Sequence, residues 1–134
     1  MKIVLDTNII VSSFLNPQGL PGEIVSLVLT KKLTVCYDNK IFFEYTEVLT
    51  RSRFNFNGEL VNDFLEFVKN NGEYIVAESQ KIKFIDEDDK IFYDVYKSSD
   101  AEYIITGNTR HFPQEKNIIT PKEFIEILQA ELKD

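Results

Sequence analysis

Lys2-Ile3-Val4-Leu5-Asp6-Thr7-Asn8 passes from an apolar run into three polar residues, and that change decides the fold. A short apolar run closed by polar groups reads as a strand buried on both faces, the kind that fills the middle of a parallel sheet. Such sheets place their chemistry at the carboxyl ends of the strands, and Asp6 stands at such an end. An ionised carboxylate in so apolar a setting costs several kcal/mol unless it is paired or binds a metal. The plainer role is a cap on the helix that follows, a position aspartate favours.

Outward from this strand, residues 9–15 are expected to form a helix, closed by Asn16-Pro17-Gln18-Gly19. Pro21 suits the first position of a second helix reaching about Leu29, with Ile24, Val25, Leu27 and Val28 on its buried side. Residues 33–36 read as a strand. Residues 39–49 read as a helix whose Ile41, Phe42, Tyr45, Val48 and Leu49 make one stripe. Another helix starts at Asn57 or Gly58, turns Leu60, Val61, Phe64, Leu65 and Val68 inward, and stops at Asn70-Asn71-Gly72. Residues 74–77 are expected to be extended. The acids Asp86-Glu87-Asp88-Asp89 open a helix to about Lys97, with Ile91, Phe92, Val95 and Tyr96 inward. Residues 103–106 and 117–119 are further short strands. Thr120-Pro121-Lys122-Glu123 carries a capping box, and Phe124, Leu128 and Leu132 mark the inward face of the last helix. Strand and helix alternate throughout, which is the pattern of an α/β chain with a largely parallel sheet covered on both faces.

A length of 134 residues suits one domain with its own core, and 11 Phe with 6 Tyr argue against disorder. No apolar run approaches the roughly 20 residues that span a bilayer. Asp6 interrupts the opening too early for a secretory signal, so no membrane association is expected and cytoplasmic residence is the expectation. Cys36 is the single cysteine, which removes an internal disulfide and a cysteine metal cluster. The net charge of −7 argues against broad binding to duplex nucleic acid. Acids that hold a cation contribute to that sum, so a metal-assisted nuclease stays open.

With 22 acidic residues, most must be solvated surface. At about 100° per residue, Glu44 flanks the stripe of its helix while Glu47 points to the opposite side. Asp89 falls at the border of the inward arc beside Tyr96, whereas Asp94 faces nearly away. Asp86 or Asp88 remains able to act from the loop, and acids at a helix start are also favoured by the backbone dipole. Asp6, Glu44 and Asp89, with Asn108 at a strand end, make an oxygen-rich set suited to magnesium or manganese. His111 is the single histidine, so a histidine-rich zinc site has no ligands; a structural role or a substrate contact is expected of it. No phosphate-binding glycine loop surrounds Gly107.

Leu5-Asp6-Thr7-Asn8-Ile9-Ile10-Val11-Ser12-Ser13-Phe14 resembles the opening motif of PIN-domain nucleases. Phe43-Glu44-Tyr45-Thr46-Glu47-Val48-Leu49 resembles the segment with their second acid, and Asp86-Glu87-Asp88-Asp89-Lys90-Ile91-Phe92 the segment with the third. Ala101-Glu102-Tyr103-Ile104-Ile105-Thr106-Gly107-Asn108 resembles the fourth, followed by His111-Phe112. Each piece alone is weak, but four in order along nearly the whole chain are specific. The group most resembled is the toxin components of toxin–antitoxin pairs.

The resemblance implies a three-layer α/β/α fold and a magnesium- or manganese-dependent endoribonuclease, inhibited by a small antitoxin protein and usually a homodimer. By position, Asp6, Glu44 and Asp89 match the family's acids, and Thr7 and Asn8 match residues that support the first of them. Asn108 stands where many members carry a fourth aspartate; it offers a carbonyl oxygen without the charge. Lys31, Lys32, Arg51, Arg53, Lys90 and Arg110 are candidate phosphate contacts, Arg51 and Arg53 foremost because two cations in a short connector can border a crevice. The plain alternative for them is solvated surface. A rival reading from another class is a PIN fold kept as an RNA- or protein-binding regulatory module with little or no catalysis.

Overall fold

The computed structural model describes residues 1–133. β1 (Lys2–Leu5) lies at the centre of a five-stranded, all-parallel sheet of order β3-β2-β1-β4-β5. Its neighbours are β2 (Thr34–Tyr37) on one side and β4 (Tyr103–Ile105) on the other. β3 (Glu73–Tyr74) and β5 (Ile118–Ile119) form the edges. Six helices flank the sheet: α1 (Thr7–Leu15), α2 (Leu20–Leu29), α3 (Asn39–Leu49), α4 (Gly58–Asn71), α5 (Glu87–Lys97) and α6 (Pro121–Leu132). The result is the expected three-layer α/β/α arrangement. Ile3, Val4, Leu5, Ile104 and Ile105 are sealed from solvent, as central strands covered on both faces must be.

The chain leaves β1 for β2 and β3, then returns across the sheet to β4 and β5. The order of strands therefore reverses between β1 and β4, which opens a crevice at their carboxyl ends. α5 packs against β1, β2 and β4, while α3 contacts α1, α4 and α5, so both reach this crevice from the side.

Several expectations shift. α1 starts at Thr7, two residues earlier than the apolar pattern indicates, because one extended residue, Asp6 (φ −64, ψ 143), is the whole connection from strand to helix. α2 begins at Leu20, which places Pro21 second in the helix, and β2 is moved by one residue to Thr34–Tyr37. Of the residues expected to be extended at 74–77, only Tyr74 lies in a strand, Glu73–Tyr74, after which the Ile75 N–H donates to the Tyr37 carbonyl and pairing ceases. Leu132 is 87% exposed because it ends a helix that has run past the body of the molecule. Leu60, also expected inside, is exposed at the rim of an apolar groove of about 610 Å³ between α2 and α4.

The largest departure is on α5, where Asp94, expected to face away, is buried together with Tyr93. Residues 75–85, which form no helix or strand, run over that side of the helix. There the Gln80 N–H donates to Asp94 Oδ1 at 2.9 Å, and Lys90 Nζ reaches both Asp94 oxygens at 3.2 Å. The segment covers the middle of the helix on the side where Asp94 lies, and the exposed charges of α5 are at its ends, Glu87, Asp88 and Lys97. The capping box on α6 is as expected, with Thr120 accepting from the Glu123 N–H and the Thr120 N–H donating back to Glu123.

Candidate active site

The Asp6 N–H donates to the Ile105 carbonyl at 3.0 Å, which extends the β1–β4 pairing one residue beyond the strand. Asp6 occupies the N-cap position of α1, yet its carboxylate makes no capping bond. Instead the Thr106 hydroxyl donates to Asp6 Oδ2 at 2.7 Å, across the switch point. Thr106 is sealed at the end of β4, and its oxygen also accepts from the Asn108 N–H at 3.0 Å. A second tie joins the same strand ends, since the Gly107 N–H donates to Asn8 Oδ1 at 3.3 Å.

Glu44 enters from α3 and accepts a 2.5 Å hydrogen bond from the Thr7 hydroxyl. Its neighbour Tyr45 is wholly buried and donates to the Leu5 carbonyl at 2.5 Å. That bond fixes the register of α3 against the end of β1, so that Glu44 faces Asp6. Asp89 comes from the first turn of α5 and lies 3.1 Å from His111 Nδ1, on the 3₁₀ turn Thr109–His111.

Burial pushes the Asp6 pKa from its ordinary 3.8 up to about 6; the Thr106 hydroxyl opposes this, and the charges of Asp89 and Glu44 add to it. Burial also raises Glu44, against the Thr7 hydroxyl and with help from Asp88 and Asp89. Asp89 is raised by burial too, while its bond to His111 pulls the other way. Among the described residues, no lysine or arginine forms an ion pair with Asp6, Glu44 or Asp89. Three carboxylates from separate elements therefore repel one another in a partly desolvated crevice, where among the described residues His111 beside Asp89 is the one ion-pair partner. Such a group is relieved either by protons or by a cation.

The donors offered are all hard oxygens, which suits magnesium or manganese. Among the described residues, no three Asp, Glu, His or Cys side chains converge closely enough to enclose an ion by themselves. A cation bound there would have to keep much of its water and take only a few protein oxygens. Asn108 is exposed beside Thr106, and its amide makes no hydrogen bond among the described residues.

The other expected residues divide. Asp86 caps α5 by accepting from the Asp88 N–H at 2.9 Å, whereas Asp88 lines the same groove as Glu44. Arg51 lines that groove as well, held by Glu47 at 2.8 Å. Arg53 does not join it and lies over the Phe54 ring, 4.7 Å from the centroid. Arg110 is exposed next to His111. Lys90 is committed to Asp94 and Ser79, and Lys31 and Lys32 precede β2 at the opposite end of the sheet.

A PIN-domain family model matches residues 2–110. The chain belongs to the PIN-domain family. The matched span of this PIN chain takes in every element that supplies Asp6, Glu44, Asp89 and Asn108. PIN domains are generally nucleases, so a nuclease-type function is the family's broad indication. Over 33 residues the PIN chain is also 42% identical to an uncharacterized protein of Methanocaldococcus jannaschii, a match spanning 25% of this chain and 21% of that protein's length. Among the described residues, no helix of the PIN chain is long and apolar enough to cross a membrane.

Two groups at the site escape a reading by periodicity. Thr106 looks like one more β-branched strand residue, and Tyr45 like one more member of an apolar stripe. The available signal was chemical: a hydroxyl on a buried residue needs a partner, and both point at the β1 terminus.

Proposed function

We propose that this PIN domain is a divalent-cation-dependent endoribonuclease that hydrolyses RNA phosphodiesters, and that it is the toxin of a toxin–antitoxin pair. The observation that supports this best is the gathering of Asp6, Glu44 and Asp89, all with raised pKa and none paired with a lysine or arginine among the described residues, at the switch point of the sheet. Asp6, Glu44 and Asp89 would hold magnesium or manganese, with Asn108 adding its amide oxygen. A bound cation would supply polarisation of the scissile phosphate and activation of a water.

The chain's own groups do the positioning. Thr106 and Thr7 each donate to one acid and fix its orientation. Asn8 ties the loop bearing Asn108 to the start of α1. His111 holds Asp89 and, when protonated, offers a donor on its other nitrogen to a phosphate or a leaving oxygen. Arg110 beside His111, and Arg51 at the groove to the extent that its surface pair with Glu47 opens, would contact the backbone; Arg53, turned onto Phe54, would be the weaker contact. The toxin role, a small inhibitory antitoxin and a homodimer rest on the motif resemblance.

The second reading is a regulatory module that binds RNA or protein with little or no cleavage. It is favoured by Asn108, which withholds a charge from the cluster, and by the net charge of −7.

The deciding experiment is cleavage of RNA by purified protein with added manganese. Wild type is expected to cut and Asp6→Asn to lose at least about 100-fold, in the range for removing a charge-stabilising group, with its fold intact by circular dichroism. Equal residual cleavage by both proteins would falsify the nuclease reading. Intact RNA together with no divalent-cation binding by calorimetry would favour the regulatory module. A neighbouring small reading frame whose product blocks cleavage is the expected sign of an antitoxin.

A further inference from the structure

Of the aromatic side chains, only Phe43 and Tyr74 are exposed among the described residues, and they differ. Tyr74 packs edge-on to Tyr37. Phe43 is 72% exposed and takes part in no ring contact with another aromatic. It stands next to Glu44 on α3, in a groove of about 570 Å³ that runs between α3 and the start of α5. Singly exposed apolar side chains are ordinary on a protein surface; what distinguishes Phe43 is a flat ring held beside Glu44 in the groove.

The charges around Phe43 indicate what the groove accepts. Lys40 and Arg51 line it, but so do Glu44, Glu47 and Asp88. Arg51 is paired with Glu47 on the surface through two bonds, at 2.8 and 3.2 Å, which offset part of its charge. A phosphate on the groove floor would face an excess of carboxylates. A flat, uncharged ring would meet Phe43 and Ile91, and its N–H edge would find acceptors in the same carboxylates. Lys40 at the outer end is left to take the phosphate that follows.

We propose that Phe43 is a stacking platform for one unpaired nucleobase of the RNA, next to the bond to be cut. This rests on the ribonuclease reading and deepens it. A base held in a duplex cannot lie flat on a side chain, whereas an unpaired one can, and stacking on an aromatic tolerates many sequences.

The test is binding of a labelled single-stranded RNA of roughly ten nucleotides, within the length that such grooves track. It is read by fluorescence anisotropy on the Asp6→Asn protein, so that nothing is cut. Adding Phe43→Ala should raise Kd roughly tenfold, the effect of losing one stacked base. Phe43→Tyr should restore binding, and a duplex of the same sequence should be insensitive to either change. Thermal melting is expected to be the same for all three proteins, since the ring is exposed.

Equal single-strand affinity for the Ala and parent proteins overturns the platform alone and leaves the nuclease reading standing. A parent that binds no RNA overturns both. Binding that depends on Phe43, in a wild type that cuts nothing under manganese, keeps the platform and removes the nuclease.

Discussion

At the scale of single residues, Asp6 couples stability to pH in the direction opposite to most carboxylates. Its folded pKa of about 6 lies above the ordinary 3.8, so the native state holds this proton more tightly than the unfolded chain does. Near pH 4 the group costs little; as pH rises through 6 the native state loses up to about 3 kcal/mol, and the penalty stays in full above that. In chelator, Asp6→Asn should therefore melt close to wild type at pH 4 and above it at pH 7.5. Adding manganese at pH 7.5 should raise the wild-type Tm and leave the variant unmoved; a wild type indifferent to manganese counts against cation binding at Asp6. Asp6 was legible in the sequence because an apolar run ended on it. Thr106 was not: its partner lies 100 residues away, and no local pattern reports such a pairing.

Helices and strands carry a different lesson. The ends of α4 and α6 could be read because their signals are local: Asn57 accepts from the N–H groups of Glu59 and Leu60, and Thr120 and Glu123 close on each other. Thr120→Ala should cost about 1 kcal/mol by urea unfolding, with no loss of cleavage. On α5 the periodicity reading failed, because it assumes one covered face. Asp94 is 7% exposed and anchors the segment 75–85 through Gln80, with Lys90 as its counter-ion. Asp94→Ala strands that lysine and frees the segment, so a loss of about 3 kcal/mol is expected. Faster amide exchange across 78–85 is the accompanying sign; exchange unchanged there would mean that the segment is held by other contacts.

For the molecule as a whole, the acid excess and the site belong to one electrostatic design. Cations near the crevice are mostly committed, Arg51 to Glu47 and Lys90 to Asp94. RNA binding should therefore release few counter-ions. A plot of log Kd against log salt is expected to have a slope of about 2 or less, and a slope of about 5 or more would show a cationic track that the fold does not present. The three-layer architecture was readable from alternation alone, but the closeness of β1 to β4 was not, since strand order is a property of the return path. The same sheet has one more consequence. Its two outermost strands contribute only two residues each. A neighbouring chain offered so little ladder has almost nothing to template on, which protects a concentrated or refolding sample against edge-to-edge fibre growth. An assembly of this chain is therefore expected to draw on surfaces other than its strand edges.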